Sequence, residues 1–171
     1  PAKQGPLGTR ELNRLLQGKL NPPERGKGEA TLMGRTLREG DKVMQIRNNY
    51  DIIWQQPDGT AGTGIFNGDM GIIEMLDPGS KTIQVRFEEK LATYSFENQD
   101  QLEHAYAVTV HKSQGSEFEA VVTPLERRHP NLHYRNLLYT AVTRARKLLI
   151  MTGQKETVYA MVQNNRRTLR Y

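Results

Sequence analysis

The chain has 171 residues, room for one ordinary domain or a domain with a small insert, and its lack of cysteine excludes a disulfide framework and a thiolate metal centre. Its four scattered histidines lack zinc-ligand spacing, no run reaches the roughly 18 apolar residues of a membrane helix and no signal peptide is visible, so no metal and no membrane are expected and a cytoplasmic location is the default. The net charge of +5 is unevenly spread: residues 1–47 hold 10 Lys/Arg against 5 Asp/Glu, residues 48–125 hold 4 against 12, and residues 126–171 hold 10 against 2. Basic ends suit either a nucleic-acid backbone or a solvated helix face.

Thr9 to Leu20 reads as a short helix with Leu12, Leu15 and Leu16 on one face, ended by Asn21-Pro-Pro23. Residues 24–40, rich in Gly, Arg and Glu, read as a loop with little core. A strand begins after the turn at Gly40-Asp41 and carries Val43 and Ile46. Gln55 to Gly64 reads as an exposed hairpin tip, Gly71 to Leu76 as a strand, and Asp77-Pro-Gly-Ser80 as a turn. Thr82 to Phe87 alternates Ile83, Val85 and Phe87 with polar residues, and Leu91 to Phe96 is the next strand. Short strands separated by turns suggest a small antiparallel barrel, and residues 41–101 have the size of an SH3-like one.

The pattern then changes. His104 to Val108 reads as a strand, and Thr109 to Gln114 as a helical turn or two, capped by Thr109 and stopped by Gly115. Ala120-Val-Val122 and Leu148-Leu-Ile-Met151 read as buried strands, with a helix from Tyr134 to Arg144 between them and a last helix carrying Val158, Met161 and Val162. Alternating strands and helices imply a parallel α/β sheet, so the barrel at 41–101 is expected as an insert in an α/β domain made of 1–40 and 102–171.

Free backbone N–H groups at a helix start attract phosphate, so Thr109, with His111 and Lys112 beside it, reads either as a simple cap or as part of an anion contact. Arg144 and Arg146, two apart on a helix, point in different directions and need not share a task. Gly79-Ser-Lys-Thr82 lacks the Gly-Lys pair of a P-loop, and no carboxylate cluster resembles a two-metal nuclease centre.

Ala105-Tyr-Ala-Val-Thr-Val-His-Lys-Ser-Gln-Gly-Ser-Glu-Phe118 and Leu137-Leu-Tyr-Thr-Ala-Val-Thr-Arg-Ala-Arg146, in this order, resemble motifs V and VI of superfamily 1 DNA helicases, in the RecD-like branch (the exodeoxyribonuclease V alpha-subunit family). Lys3-Gln-Gly-Pro-Leu-Gly-Thr9 followed by Leu12-Asn13 resembles the segment after motif IV. Gly40-Asp-Lys-Val-Met-Gln-Ile-Arg-Asn-Asn-Tyr50, with Phe66-Asn-Gly-Asp-Met-Gly71, resembles the lead-in to that family's SH3-like insert. The resemblance implies the second RecA-like motor domain of an ATP-dependent DNA helicase without its own P-loop. It implies that Thr109, His111 and Lys112 face single-stranded DNA, and that Gln114, Gly115 and Glu117 face the nucleotide, Glu117 at the ribose. Arg144 becomes the arginine finger, with Tyr139 and Thr140 coupling the ATP state to DNA, and Arg47, Asn48 and Asn67 become DNA contacts. ATP with Mg2+ would bind in the full-length protein, between this domain and an N-terminal motor domain; other recombination or repair subunits are possible partners. The opening residue Pro1 agrees with a piece of a longer protein.

Two features depart from this picture. The 55–64 stretch is longer than the family usually carries, and the insert is acidic, so aromatic stacking by Trp54, Tyr94 or Phe96 would have to replace charge unless those rings belong to the core. The rival reading is a non-catalytic nucleic-acid-binding module in which the barrel is the functional part.

Overall fold

The computed structural model describes residues 3–125 and 132–165. Five of the ten cations of the basic 126–171 segment (Arg127, Arg128, Arg166, Arg167 and Arg170) lie outside the described residues. The chain divides into two compact units, one from Asn13 to Ala107 and one made of residues 1–12 with 108–171. Among the described residues, no helix is long and apolar enough to cross a membrane.

Helix α1 (Thr9–Leu20) has the bounds its sequence suggested. Its buried face is not the leucine face. Leu15 and Leu20 are exposed, while Asn13, Gln17 and Asn21, spaced four apart, are buried. Their amides are satisfied by partners far along the chain, and that lets polar residues occupy the inner stripe.

Residues 24–40 form more than a loop. β1 (Glu29–Leu32) and β2 (Arg35–Arg38) make an antiparallel hairpin in which Glu29 faces Arg38. Leu37 is fully buried in the core, and Ala30 and Leu32 pack against it. The hairpin turns through Met33 and Gly34, both at positive φ.

The rest of this unit is one seven-stranded sheet: β3 (Lys42–Gln45), β4 (Asn49–Gln55), β5 (Ala61–Ile65), β6 (Met70–Asp77), β7 (Thr82–Phe87), β8 (Lys90–Ser95) and β9 (Leu102–His104). The spatial order is β5-β4-β8-β7-β6-β3-β9, and every pair is antiparallel. All seven strands feed one apolar cluster: Val43, Ile52, Ile65, Ile73 with Leu76, Ile83 with Val85 and Phe87, Ala92 with Tyr94, and Leu102. The strict alternation in β7 is the period-2 signature of a strand with one face on a core. The β4–β5 tip is shorter than expected, because residues 61–64 already pair with β4, leaving residues 56–60 as the loop. The 104–108 strand is also revised. β9 ends at His104 and pairs antiparallel with β3, so it belongs to this sheet and not to the parallel one.

In the other unit, β10 (Phe118–Leu125) and β11 (Ala145–Gly153) pair in parallel, joined through α2 (Arg135–Val142) and followed by α3 (Lys155–Gln163). Leu138 and Ala141 of α2 and Met161 of α3 are buried, as their helical spacing requires. The two strands were expected to be buried, yet Val122, Leu148, Ile150 and Met151 are exposed. A parallel sheet normally has both faces covered, and among the described residues this one has two strands.

Candidate functional site

Between β9 and β10, residues 110–115 form consecutive turns, with no regular helix. Thr109 organises them. Its Oγ1 accepts from the Lys112 amide at 3.3 Å, and its carbonyl accepts from the Ser113 amide at 3.1 Å. Ser113 is buried and its hydroxyl donates to the Val110 carbonyl at 2.9 Å. Thr109 thus closes a turn and does not cap the helix that the sequence suggested over 109–114. Gly115 sits at φ +86, with no atom near where a Cβ would stand, so backbone conformation and not space requires glycine there. His111 is exposed, its Nε2 3.5 Å from the Tyr134 hydroxyl. Lys112 is half-buried, and Gln114 and Glu117 are exposed.

Arg144 meets this segment directly. It follows the C-terminus of α2, where its Nε donates to the Thr140 carbonyl at 3.2 Å and Nη2 to Thr143 Oγ1 at 3.3 Å. Its Nη1 donates to the Ser116 carbonyl at 3.0 Å. The Phe118 amide donates to the Arg144 carbonyl at 2.8 Å, so main chain and side chain both tie 116–118 to 144. A guanidinium has five N–H donors, so the three bonds hold the fork in place and leave two for another acceptor. Glu117 lies 3.7 Å from Arg146, an exposed pair worth little by itself. Tyr139 is exposed on α2, and the Thr140 hydroxyl donates to the Asn136 carbonyl. Glu117, Arg144 and the Thr109 turn thus belong to one unit.

Arg47, Asn48 and Asn67 lie in the Asn13–Ala107 unit and are exposed. Arg47 pairs with Asp100 at 3.0 Å. Asn48 Oδ1 accepts from the Asn67 amide at 2.9 Å, tying the two ends of the β4–β5 hairpin together. The stacking residues resolve toward the core: Tyr94 is fully buried, and Trp54 and Phe96 pack against the same cluster. The exposed rings are instead Tyr50 and Phe66, edge to face at 5.6 Å.

Sequence reasoning missed Asp41. This carboxylate is fully buried and accepts from five donors. Oδ1 takes the Asn21 amide at 2.7 Å and the Tyr106 hydroxyl at 2.9 Å. Oδ2 takes the Gln17 amide at 2.7 Å, the Arg38 backbone amide at 2.9 Å and His104 Nε2 at 3.1 Å. Burial alone would raise its pKa, but the hydrogen bonds from His104, Asn21 and Tyr106, with the His104 charge, outweigh burial and take it below the usual carboxylate value. Burial, and then the neighbouring Asp41 charge, pushes the Tyr106 phenol up to about 12. The available signal was the four-residue spacing of Asn13, Gln17 and Asn21.

Comparison with known proteins fits this geometry. Residues 12–87 match the family described as the ATP-dependent RecD-like DNA helicase SH3 domain, and residues 104–152 match the UvrD-like helicase C-terminal domain. The ATP-dependent RecD2 DNA helicase of Deinococcus radiodurans is 34% identical over 90% of this chain. Most of the chain is thus similar to RecD-like helicases. The RecBCD enzyme subunit RecD of Buchnera aphidicola is 33% identical over 95% of this chain, and that of Mycolicibacterium smegmatis 28% over 94%. The chain spans only 19%, 25% and 26% of these three relatives' own lengths. In fold it resembles a crystal structure of Bacteroides Pif1 bound to ssDNA, with a TM-score of 0.54 at 18% identity, over 87% of this chain and 40% of that one. Both domain matches fall on segments that the chain's motifs had singled out.

Proposed function

We propose that the chain supplies the second motor half of an ATP-dependent, RecD-like DNA helicase, with an SH3-like barrel set into a RecA-like domain. One observation carries this reading: Arg144 is locked to the 116–118 segment while two of its donors stay uncommitted. A pure binding module has no need of a pre-set arginine beside Glu117. In the proposed site Arg144 is the finger that stabilises charge on the transferring phosphoryl group, and Gln114, Gly115 and Glu117 hold the rest of the nucleotide, Glu117 at the ribose. The bound nucleotide, as ATP with Mg2+, supplies the phosphoryl group. Thr109, His111 and Lys112 grip the backbone of single-stranded DNA, Arg47, Asn48 and Asn67 are separate DNA contacts in the other unit, and Tyr139 and Thr140 couple the two ligands.

A first motor domain supplies the P-loop, and alternating closure of the two domains moves the strand. The exposed apolar residues of β10 and β11 support the view that further motor elements cover them. The domain division is part of the proposal: motor segments at 1–40 and 102–171 around an insert at 41–101. The burial of Leu37 supports drawing the insert wider, near 13–107. Alone, the chain should neither hydrolyse ATP nor unwind DNA. In the cell the helicase would work in the cytoplasm, in recombination or repair.

The test is the nucleotide dependence of ssDNA-stimulated ATPase in the full-length helicase carrying this sequence. Glu117→Gln should raise the KM for ATP while leaving DNA affinity in place. An unchanged KM removes Glu117 from the nucleotide site, and robust Mg2+-dependent ATPase from the 171-residue chain alone would contradict the shared-site reading.

A further inference from the structure

His111 does not stand alone at its turn. The Tyr134 hydroxyl lies 3.5 Å from its Nε2, and both residues belong to the same compact unit. A good hydrogen bond between such atoms spans about 2.7–3.2 Å, so the two groups are close without satisfying each other. The chain that carries Tyr134 is firmly held. Tyr134 precedes the first residue of α2, and its carbonyl accepts from the Leu137 amide at 3.1 Å and the Leu138 amide at 3.3 Å. Asn164, just past the end of α3, grips the residues on either side of it. Asn164 Nδ2 donates to the His133 carbonyl at 2.6 Å, and the Asn164 carbonyl accepts from the Arg135 amide at 2.9 Å. Arg135 Nε adds a bond to the Val162 carbonyl at 2.6 Å. The backbone at 133–135 is therefore clamped to the end of α3, while the Tyr134 side chain reaches His111. The turns that carry His111 are closed in their own right by the Thr109 and Ser113 bonds.

We infer that Tyr134 and His111 together bind one backbone phosphate of single-stranded DNA. Tyr134 lies outside both motif segments, 105–118 and 137–146, and nothing in them assigns it a role. Two donors 3.5 Å apart can each stand about 2.8 Å from a single oxygen, so one phosphate oxygen bridges the gap between them. The phenol donates its O–H and His111 donates from Nε2, so Nε2 carries a hydrogen in the bound form. An anionic oxygen suits the pair because hydrogen bonds to a charged acceptor are shorter and stronger than neutral ones. The phosphate is not the one that Arg144 would reach. Tyr134 precedes α2 and Arg144 follows it, and the eight residues of α2 rise about 12 Å. The inference rests on the helicase reading and adds a residue to its DNA contact.

The experiment uses the full-length helicase and measures ssDNA affinity by fluorescence anisotropy, with oligo-dT and oligo-dA at several salt concentrations, alongside the KM for ATP. Tyr134→Phe keeps the ring and removes the donor. It should raise Kd about tenfold, the low end for a hydrogen bond to a charged group, and equally for both oligonucleotides, since a phosphate contact carries no base information. The slope of log affinity against log salt should stay as in wild type, because the phenol is uncharged, and the KM for ATP should not move. In a His111→Ala background Tyr134→Phe should still cost more than about twofold, because each group donates to the phosphate itself. Tyr159→Phe, which removes an exposed phenol on α3 of the same unit, is the control and should leave Kd unchanged. The inference is overturned if Tyr134→Phe moves Kd by less than about twofold in the wild-type background, or if it raises the KM for ATP instead. It is also overturned if the effect vanishes in the His111→Ala background, which would leave Tyr134 touching His111 alone. A wild-type helicase with no affinity for ssDNA would instead overturn the helicase reading and this inference with it.

Discussion

Replacing Asp41 with Asn tests how much the unit depends on its one fully buried carboxylate. The substitution keeps the shape and leaves one acceptor oxygen facing five donors. The new amide nitrogen cannot face Oδ2's partners without opposing the fixed N–H of Arg38, so it must take the Oδ1 side, toward Asn21 and Tyr106. Tyr106 can rotate its hydroxyl to accept, but the Asn21 amide loses its acceptor. One buried donor is then unpaired, and the surviving bonds change from charged to neutral, for a total of about 3 kcal/mol. A domain of this size has only about 5–15 kcal/mol in hand, so the loss is large. Trp54 is the sole tryptophan and packs against the core of this unit, so urea unfolding followed by its fluorescence reports the relevant transition. The pH dependence has a definite sign. Asp41's folded pKa is depressed, so its stabilisation is present above the unfolded value of 3.8 and is lost as pH falls through the lower folded value. The gap between wild type and Asp41→Asn should therefore be full at neutral pH and shrink below about pH 4. A loss under about 0.5 kcal/mol at pH 7, or a gap that widens on acidification, would refute the reasoning.

Gly62→Ala places a Cβ 2.5 Å from the Trp54 ring, so it should cost about 1–3 kcal/mol and shift the Trp54 emission, both read in the same urea experiment. Met33→Asn should raise the melting temperature by the equivalent of up to about 1 kcal/mol, because the exposed Met33 holds φ +50, which Asn tolerates better. Arg86→Ala, which breaks the exposed pair with Glu74, should leave the urea midpoint nearly unchanged, with any effect shrinking further in high salt.

Local signals carried much of the fold. Helix α1 and strand β7 have the bounds their spacing dictates, because each is flanked by strong stops and has a regular period. The β1–β2 hairpin was not legible, since only Leu37 among its residues is a buried apolar side chain and the strands otherwise look like a charged loop. The helix α1 face was misjudged for a related reason. Leucine spacing is a local signal, whereas Asn13, Gln17 and Asn21 are buried by partners 20 to 94 residues away. Asp41 shows the same limit from the other side: nothing beside Gly40 in sequence announces a carboxylate served by His104 and Tyr106. The candidate site was more legible, because Thr109, Gly115, Glu117 and Arg144 sit in contiguous motifs whose order alone suggested a shared unit. Their meeting through Ser116 and Phe118 needed the parallel register of β10 and β11.

The most direct test of the central proposal is ssDNA-stimulated ATPase of the full-length helicase, wild type against Arg144→Ala, with DNA affinity measured on the same preparations. The account predicts that kcat falls by about 10³-fold or more while DNA affinity changes little, as for loss of an arginine that acts on the transferring phosphoryl group. Turnover that survives the substitution would contradict it and leave Arg144 as a structural tie between α2 and Ser116.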